Sequence, residues 1–134
     1  MNLDTVIRKV PDFPKPGILF YDITTIFTNP AAFAYVIEQM VGYYKDLPID
    51  GVVAIESRGF LVAGAFCIRT GLPLVLARKK GKLPGKTIAQ SYALEYGEAT
   101  LEMHTDDIVA SHRYLIIDDL VATGGTIEAV AAML

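Results

Sequence analysis

Two short apolar runs flank a helix-like segment in the middle of this chain, and their spacing leaves few ways to fold. Gly51-Val52-Val53-Ala54-Ile55 is a continuous apolar stretch of strand length, and Leu72-Pro73-Leu74-Val75-Leu76-Ala77 is a second. Apolar runs without polar alternation suit strands covered on both faces. Between them, Phe60 to Thr70 has helical composition and Gly71 supplies a stop signal. The economical arrangement for a strand, a helix and a strand with short connections is a right-handed crossover in a parallel sheet. An α/β domain is therefore expected.

The flanking segments extend this pattern. Pro11, Pro14, Pro16 and Gly17 crowd ahead of Ile18-Leu19-Phe20, and because proline fixes φ and forbids helix, they predict a stiff, ordered loop. Asn29 is a good helix N-cap and Pro30 fits the first turn. Phe33, Val36, Ile37, Met40, Val41 and Tyr44 then fall on one helical face. From Arg78 to Gln90 the chain is polar and glycine-rich. Tyr92 to Met103 alternates like a hairpin around Gly97, and Arg113 to Ile117 reads as a further strand. The helical composition that begins at Thr126 runs to the last residue with no strand after it, so the sheet is expected to be incomplete and the chain to be a truncated version of a longer fold. At 134 residues one domain with a proper core is expected, and two of ordinary size are not.

Composition removes several classes of function. An apolar share of 52% with 20% charged residues argues against disorder, and a net charge of −3 gives no general pull toward nucleic acid or anionic membrane. The single cysteine, Cys67, permits no internal disulfide and sits in an apolar segment, as a core thiol would. The start MNLDTVIRKVPDF lacks a secretory h-region, and no apolar run approaches the ~20 residues of a membrane helix, so the cytoplasm is the expected location. His104 and His112 have no triad or metal-site spacing and are expected at the surface.

Chemistry concentrates in LIIDDLVATGGT, Leu115 to Thr126. Ligands of open parallel sheets bind beyond the carboxyl ends of strands, where loops enter helices. Small residues allow backbone N–H groups close to an anion, and the hydroxyls of Thr123 and Thr126 add donors. Neither GxxxxGK[ST] nor GxGxxG occurs. Asp118 and Asp119 would repel a bare phosphate, but a sugar 5-phosphate could offer hydroxyls to the acids and its phosphate to the loop. A pair of solvated acids followed by a glycine-rich cap fits the composition equally.

Three further clusters keep two readings each. RKKGKLPGK places Arg78, Lys79, Lys80, Lys82 and Lys86, five of the chain's twelve cations, in nine residues. It could grip pyrophosphate or be a solvated loop; nucleic acid would want a wider basic stripe. Glu56-Ser57-Arg58-Gly59 enters a helix at a strand end and suits either a second anion or a plain cap. Glu95, in YALEYG, is a general acid–base candidate or a strand-surface acid.

Taken together, PDFPKPGILFYDIT, ESRGF, RKKGKLPGKT, SYALEYG and above all LIIDDLVATGGT resemble the adenine phosphoribosyltransferases of the type I phosphoribosyltransferase superfamily, from about Pro11 to the last residue. The resemblance implies a mainly parallel twisted sheet flanked by helices, with a small hood from the N-terminal segment, about residues 1–30, a core from about 31 to 134, and a flexible hairpin flap. It implies transfer of 5-phosphoribosyl from 5-phosphoribosyl-1-pyrophosphate to adenine, giving AMP and pyrophosphate, with Mg²⁺ carried in by the pyrophosphate substrate and water rather than by protein ligands. Asp118 and Asp119 are implied to hold the ribose hydroxyls, and Ala122, Thr123, Gly124, Gly125 and Thr126 to cradle the 5-phosphate. Ser57 and Arg58 would meet pyrophosphate, beside a non-proline cis peptide between Glu56 and Ser57. Arg78, Lys79 and Lys82 would reach a neighbouring subunit's pyrophosphate in a homodimer.

For the base, the resemblance implies a place between Phe20 or Leu19 and Leu120, reading backbone groups near Leu19 and Tyr21. Glu95, with Tyr96 on the flap, would face N7 and manage its proton. Family members often carry arginine where this chain has Tyr21, and they continue beyond the helix begun at Thr126, so a destabilised or partial catalyst is expected. Transfer to hypoxanthine, xanthine or guanine, and a non-catalytic sensor of purine or phosphoribosyl pyrophosphate, are the alternatives; neither nucleic acid nor membrane is expected as a partner.

Overall fold

The computed structural model describes residues 1–94, 96–121 and 123–134. It divides into two compact units, Met1–Tyr43 and Tyr44–Leu134.

In the first unit, a single 3₁₀ turn at Leu3–Thr5 leads into β1 (Arg8–Pro11), which pairs antiparallel with β2 (Leu19–Asp22), with Val10 opposite Phe20. The proline-rich loop between them is ordered, as its sequence predicts. It contains a cis Phe13–Pro14 bond, and Asp12, at φ +56°, accepts a hydrogen bond from Gly17 N–H at 2.9 Å. The Phe13 and Phe20 rings meet edge-on at 5.0 Å. Asp22 ends β2 and starts α1 (Thr24–Phe27) by accepting from both the N–H and the hydroxyl of Thr24. Asn29 caps α2 (Pro30–Tyr44) as expected, its side-chain oxygen accepting from Ala32 N–H at 3.1 Å. Ala32 and Ile37 are buried, and Phe33, Val36, Met40, Val41 and Tyr44 are half-buried along one face.

The second unit is built on a five-stranded sheet. β3 (Gly51–Ile55) lies between β4 (Leu74–Lys79) and β7 (Tyr114–Ile117), parallel to both, and is buried along its whole length. That central position explains why its sequence carries no polar alternation. α3 (Arg58–Thr70) makes the crossover from β3 to β4 and ends on Gly71 at φ +77°, whose N–H reaches Cys67 O at 2.8 Å. An antiparallel hairpin, β5 (Thr87–Ala93) and β6 (Glu98–His104), joins the other side of β4, so the strand order is β5-β6-β4-β3-β7. α4 (Gly125–Met133) packs on the hairpin. Its Ala129, Val130 and Met133 share a buried cluster with Val53, Ile55, Val75, Ala77, Leu101 and Met103.

Several boundaries differ from the sequence expectation. Arg78 and Lys79 are the end of β4 rather than loop, and β5 begins at Thr87, five residues before the alternation from Tyr92. β5 is an edge strand, mostly exposed, so its first residues need no apolar pattern. Cys67 is a core thiol as expected: it is buried, its Sγ lies 4.0 Å from Pro73 O, and desolvation raises its pKa, which disfavours thiolate. His104 is not a bare surface residue. Its Nε2 lies 2.7 Å from Pro84 O and its Nδ1 3.5 Å from Asp107 Oδ2. No helix among the described residues is long and apolar enough to cross a membrane.

Candidate active site

β3 and β7 end side by side, and the segments leaving their carboxyl ends together build one wall of a cleft. After β3 the chain turns through a cis peptide between Glu56 and Ser57 into the first turn of α3. After β7 it continues as Asp118 and Asp119. Gly59 lets the two segments touch: a Cβ there would stand 3.1 Å from Ile117 O and 3.2 Å from Asp118 Cα, both backbone atoms. A larger residue would need the start of α3 and the end of β7 to part by a few tenths of an ångström.

This closeness puts Arg58 against the acid pair. Arg58 Nε lies 2.7 Å from Asp119 Oδ2, and Asp118 Oδ1 accepts a hydrogen bond from Asp119 N–H at 2.8 Å. Asp119 is the more enclosed partner, with its side chain 13% exposed against 42% for Arg58. Partial burial is the main influence on Asp118 and pushes its pKa up from 3.8 to about 6. The Asp119 N–H opposes that rise, the Asp119 carboxylate adds to it, and the Arg58 guanidinium opposes it again. Asp118 is thus held well above the usual carboxylate range.

Opposite stands the glycine-rich turn. Gly124, at φ +87°, occupies the N-cap of α4 and has no side chain to cap the helix; only a long 3.4 Å hydrogen bond from Gly125 N–H to Thr123 Oγ1 reaches the first turn from a side chain among the described residues. First-turn N–H groups left without side-chain acceptors are donors for an incoming anion. The resulting cleft, about 740 Å³, is lined by Arg58, Asp118, Asp119, Leu120, Thr123, Gly124, Gly125 and Thr126 with Tyr92, Ala93 and Leu94 of the hairpin. It is roomy enough for a small phosphorylated molecule.

The structure therefore brings together Arg58, both acids, Leu120 and four of the five small residues expected to cradle phosphate. Ala122 and Glu95 lie outside the described residues. Ser57 precedes α3 with no side-chain hydrogen bond to the helix end, beside the cis bond that the resemblance implied. Tyr96 is 86% exposed and, like Arg78, Lys79 and Lys82, does not line this cleft. Leu19, Phe20 and Tyr21 belong to β2 of the first unit.

Two residues inside the family-like segments take part without a role that the resemblance implies. Tyr92, within SYALEYG, lines the cleft and sits 3.8 Å from the Cβ position of Gly125. Glu56 ties the end of β3 to the end of β4: its Oε1 accepts from Lys79 N–H at 2.6 Å and lies 3.4 Å from Arg78 Nε. That ion pair lacks hydrogen-bond alignment, and the buried Arg78 Nε has no other partner among the described residues.

An acid pair at a strand end shares a cleft with the glycine-capped start of a helix, at the carboxyl edge of a parallel sheet, an arrangement suited to a sugar phosphate. Residues 22–134 match the family model for the phosphoribosyl transferase domain. An adenine phosphoribosyltransferase of Treponema denticola is 54% identical over 132 residues, which cover 98% of this chain and 70% of that protein. The crystal structure of adenine phosphoribosyltransferase from Thermoanaerobacter pseudethanolicus superposes with a TM-score of 0.92 at 44% identity, covering 98% of this chain and 76% of that one. The Saccharomyces cerevisiae enzyme, solved with adenine and an imino-altritol bisphosphate, superposes at 0.90 with 36% identity over 98% of this chain and 77% of its own. The chain belongs to the adenine phosphoribosyltransferase family.

Proposed function

We propose that the cleft transfers 5-phosphoribosyl from 5-phosphoribosyl-1-pyrophosphate to adenine, giving AMP and pyrophosphate. The observation that carries this is the shared cleft of Asp118, Asp119 and Arg58 with the glycine-capped start of α4. The turn from Thr123 to Thr126, with Ala122, takes the 5-phosphate on backbone N–H groups and hydroxyls. Asp118 and Asp119 accept the ribose hydroxyls, and Ser57 and Arg58 face the pyrophosphate.

The chemistry follows from charge. As the bond between C1 and the pyrophosphate oxygen breaks, positive charge develops on the ribose, and two carboxylates fixed beneath it favour that state over the neutral sugar. Adenine N9 forms the new bond to C1, and the proton at N7 passes to Glu95. Arg58 stays with the departing pyrophosphate, which removes its electron pair with the broken bond. Contacts to the base are assigned by the resemblance to Leu19, Phe20, Tyr21 and Leu120, with Tyr96 beside Glu95.

The substrate is taken to arrive as its Mg²⁺ complex, the metal held by pyrophosphate and water. Arg78, Lys79 and Lys82 are assigned to the pyrophosphate bound by the second subunit of a homodimer. A salvage role belongs in the cytoplasm. Incubation with phosphoribosyl pyrophosphate, Mg²⁺ and each purine base in turn, followed by chromatography, tests the proposal. AMP from adenine is the expected product. Nucleotide from another base alone would overturn the choice of base, and none from any base would overturn the transfer itself.

A further inference from the structure

The turn that follows β4 is held far more firmly than its composition suggests. Lys79 at the end of β4 and Lys80, Lys82 and Lys86 in the turn are exposed, and among the described residues their ammonium groups form no ion pair. Like charges packed this densely repel one another and favour an open, wandering loop. Here the backbone is fastened at several points instead. Lys80 N–H donates to Thr100 O at 3.0 Å, Lys82 N–H to Lys79 O at 3.2 Å, and Thr105 N–H to Lys86 O at 3.3 Å. His104 Nε2 lies 2.7 Å from Pro84 O.

One side chain joins both ends of the turn. Glu102, on β6, uses each of its carboxylate oxygens once: Oε1 accepts from Gly81 N–H and Oε2 from the Thr87 hydroxyl, both at 2.6 Å. The Thr87 hydroxyl first and the Gly81 N–H second hold its carboxyl below the usual range, so it is ionised wherever the protein works. Gly81, at φ +85°, and Gly85, at φ +81°, give the backbone the conformations this closure requires.

We propose that Glu102 is a positioning residue for diphosphate binding: by bridging Gly81 and Thr87 it fixes the lysine turn before the ligand arrives. The inference rests on the proposal that this turn grips the diphosphate of phosphoribosyl pyrophosphate. Ordering a loop at the moment of binding costs affinity, and a loop already ordered avoids that cost. The same logic holds whether the turn serves its own cleft or a second subunit's. Glu102 touches no substrate; it acts through the backbone that carries the lysines.

The test compares the wild type with Glu102→Ala, Glu102→Gln and Thr87→Val. Affinity for inorganic pyrophosphate with Mg²⁺ is measured by calorimetry, and KM for phosphoribosyl pyrophosphate and for adenine by steady-state assay. Losing two charge-assisted hydrogen bonds is expected to weaken pyrophosphate binding and raise KM for phosphoribosyl pyrophosphate about tenfold, with KM for adenine within about twofold. Glu102→Gln, which keeps one acceptor oxygen, restores part of the loss. A merely structural glutamate would raise both KM values together and lower the melting temperature in step. That result, or unchanged pyrophosphate affinity in Glu102→Ala, overturns the proposal. Should Glu102→Ala fail to fold, Thr87→Val removes one of the two bonds and must show a smaller loss of the same selectivity. A wild type that does not bind pyrophosphate overturns the parent proposal, whereas tight wild-type binding that is indifferent to all three variants overturns only this one.

Discussion

Arg58 Nε and Asp119 Oδ2 stand 2.7 Å apart, joining the residue assigned to pyrophosphate to one of the two assigned to ribose. Each group's ligand carries what the other now supplies: pyrophosphate brings negative charge to Arg58, and ribose brings hydroxyl donors to Asp119. With those assignments, substrate binding would exchange the pair for one contact of the same kind on each side. Arg58 also lowers the pKa of neighbouring Asp118. Arg58→Gln is expected to raise the Asp118 pKa further above about 6 and to weaken pyrophosphate binding about tenfold or more. Carboxyl-carbon NMR titration and calorimetry measure the two effects, and an unmoved Asp118 titration would refute the electrostatic link.

The raised Asp118 pKa makes two pH predictions of opposite sign. For catalysis, the anionic form is the useful one, so kcat/KM for phosphoribosyl pyrophosphate falls by about tenfold per unit below pH ~6. The substrate's own 5-phosphate also titrates in that range. Asp118→Asn therefore decides ownership: if its residual activity keeps the same acidic limb, the phosphate is responsible and Asp118 is not. For stability, a folded pKa above the ordinary 3.8 means a contribution fully present below about pH 4 and lost as pH rises through about 6. Asp118→Asn should accordingly melt a few degrees higher than the wild type at pH 8, with the difference vanishing below pH 4.

Gly59→Ala tests the contact between the start of α3 and the end of β7. The added methyl would meet Ile117 O at 3.1 Å and Asp118 Cα at 3.2 Å, and neither backbone atom can swing away as a side-chain tip could. Forcing α3 from β7 is expected to cost about 1–3 kcal/mol in denaturant unfolding. Arg58 would move with the helix, so kcat/KM should fall by about tenfold or more beyond any change in folded fraction. Wild-type stability together with wild-type kcat/KM would show that the two segments slide apart freely.

Much of this arrangement was legible from residue order because the relevant signals are local. The unpatterned run Gly51–Ile55 announced a central strand, Asn29 announced its helix cap, and the acids followed by small residues announced a strand-to-helix turn that lines a cleft. What stayed hidden depends on neighbours distant in sequence. Nothing in ESRG indicates that Arg58 will meet Asp119, nor that Gly59 is glycine because Ile117 and Asp118 press on it. Thr87-Ile88-Ala89-Gln90 carries no clean alternation because a mostly exposed edge strand needs none, and without it the stretch is indistinguishable from loop. Glu102 carries no motif; it is one acid in a strand until its two acceptors meet Gly81 and Thr87.

Asp119→Asn separates the two jobs of the pair, because removing one carboxylate should move two measurements in opposite directions. In the wild type, pyrophosphate must take Arg58 from a partner with a side chain only 13% exposed, and the cost of breaking that pair is subtracted from binding. The asparagine keeps the size of the side chain and loses its charge, so Arg58 is freed and less negative charge faces the ligand. Affinity for inorganic pyrophosphate should therefore rise, by about threefold to tenfold. Turnover of phosphoribosyl pyrophosphate should fall, by about a hundredfold, since half of the negative field under the developing ribose cation is gone. Adenine affinity should change little, because the substitution touches neither the base nor its assigned contacts. Calorimetry with pyrophosphate and single-turnover kinetics measure the two quantities on one preparation. If both decline together, Asp119 serves to keep the cleft in shape, and neither the charge balance with Arg58 nor the clamp on ribose describes its role.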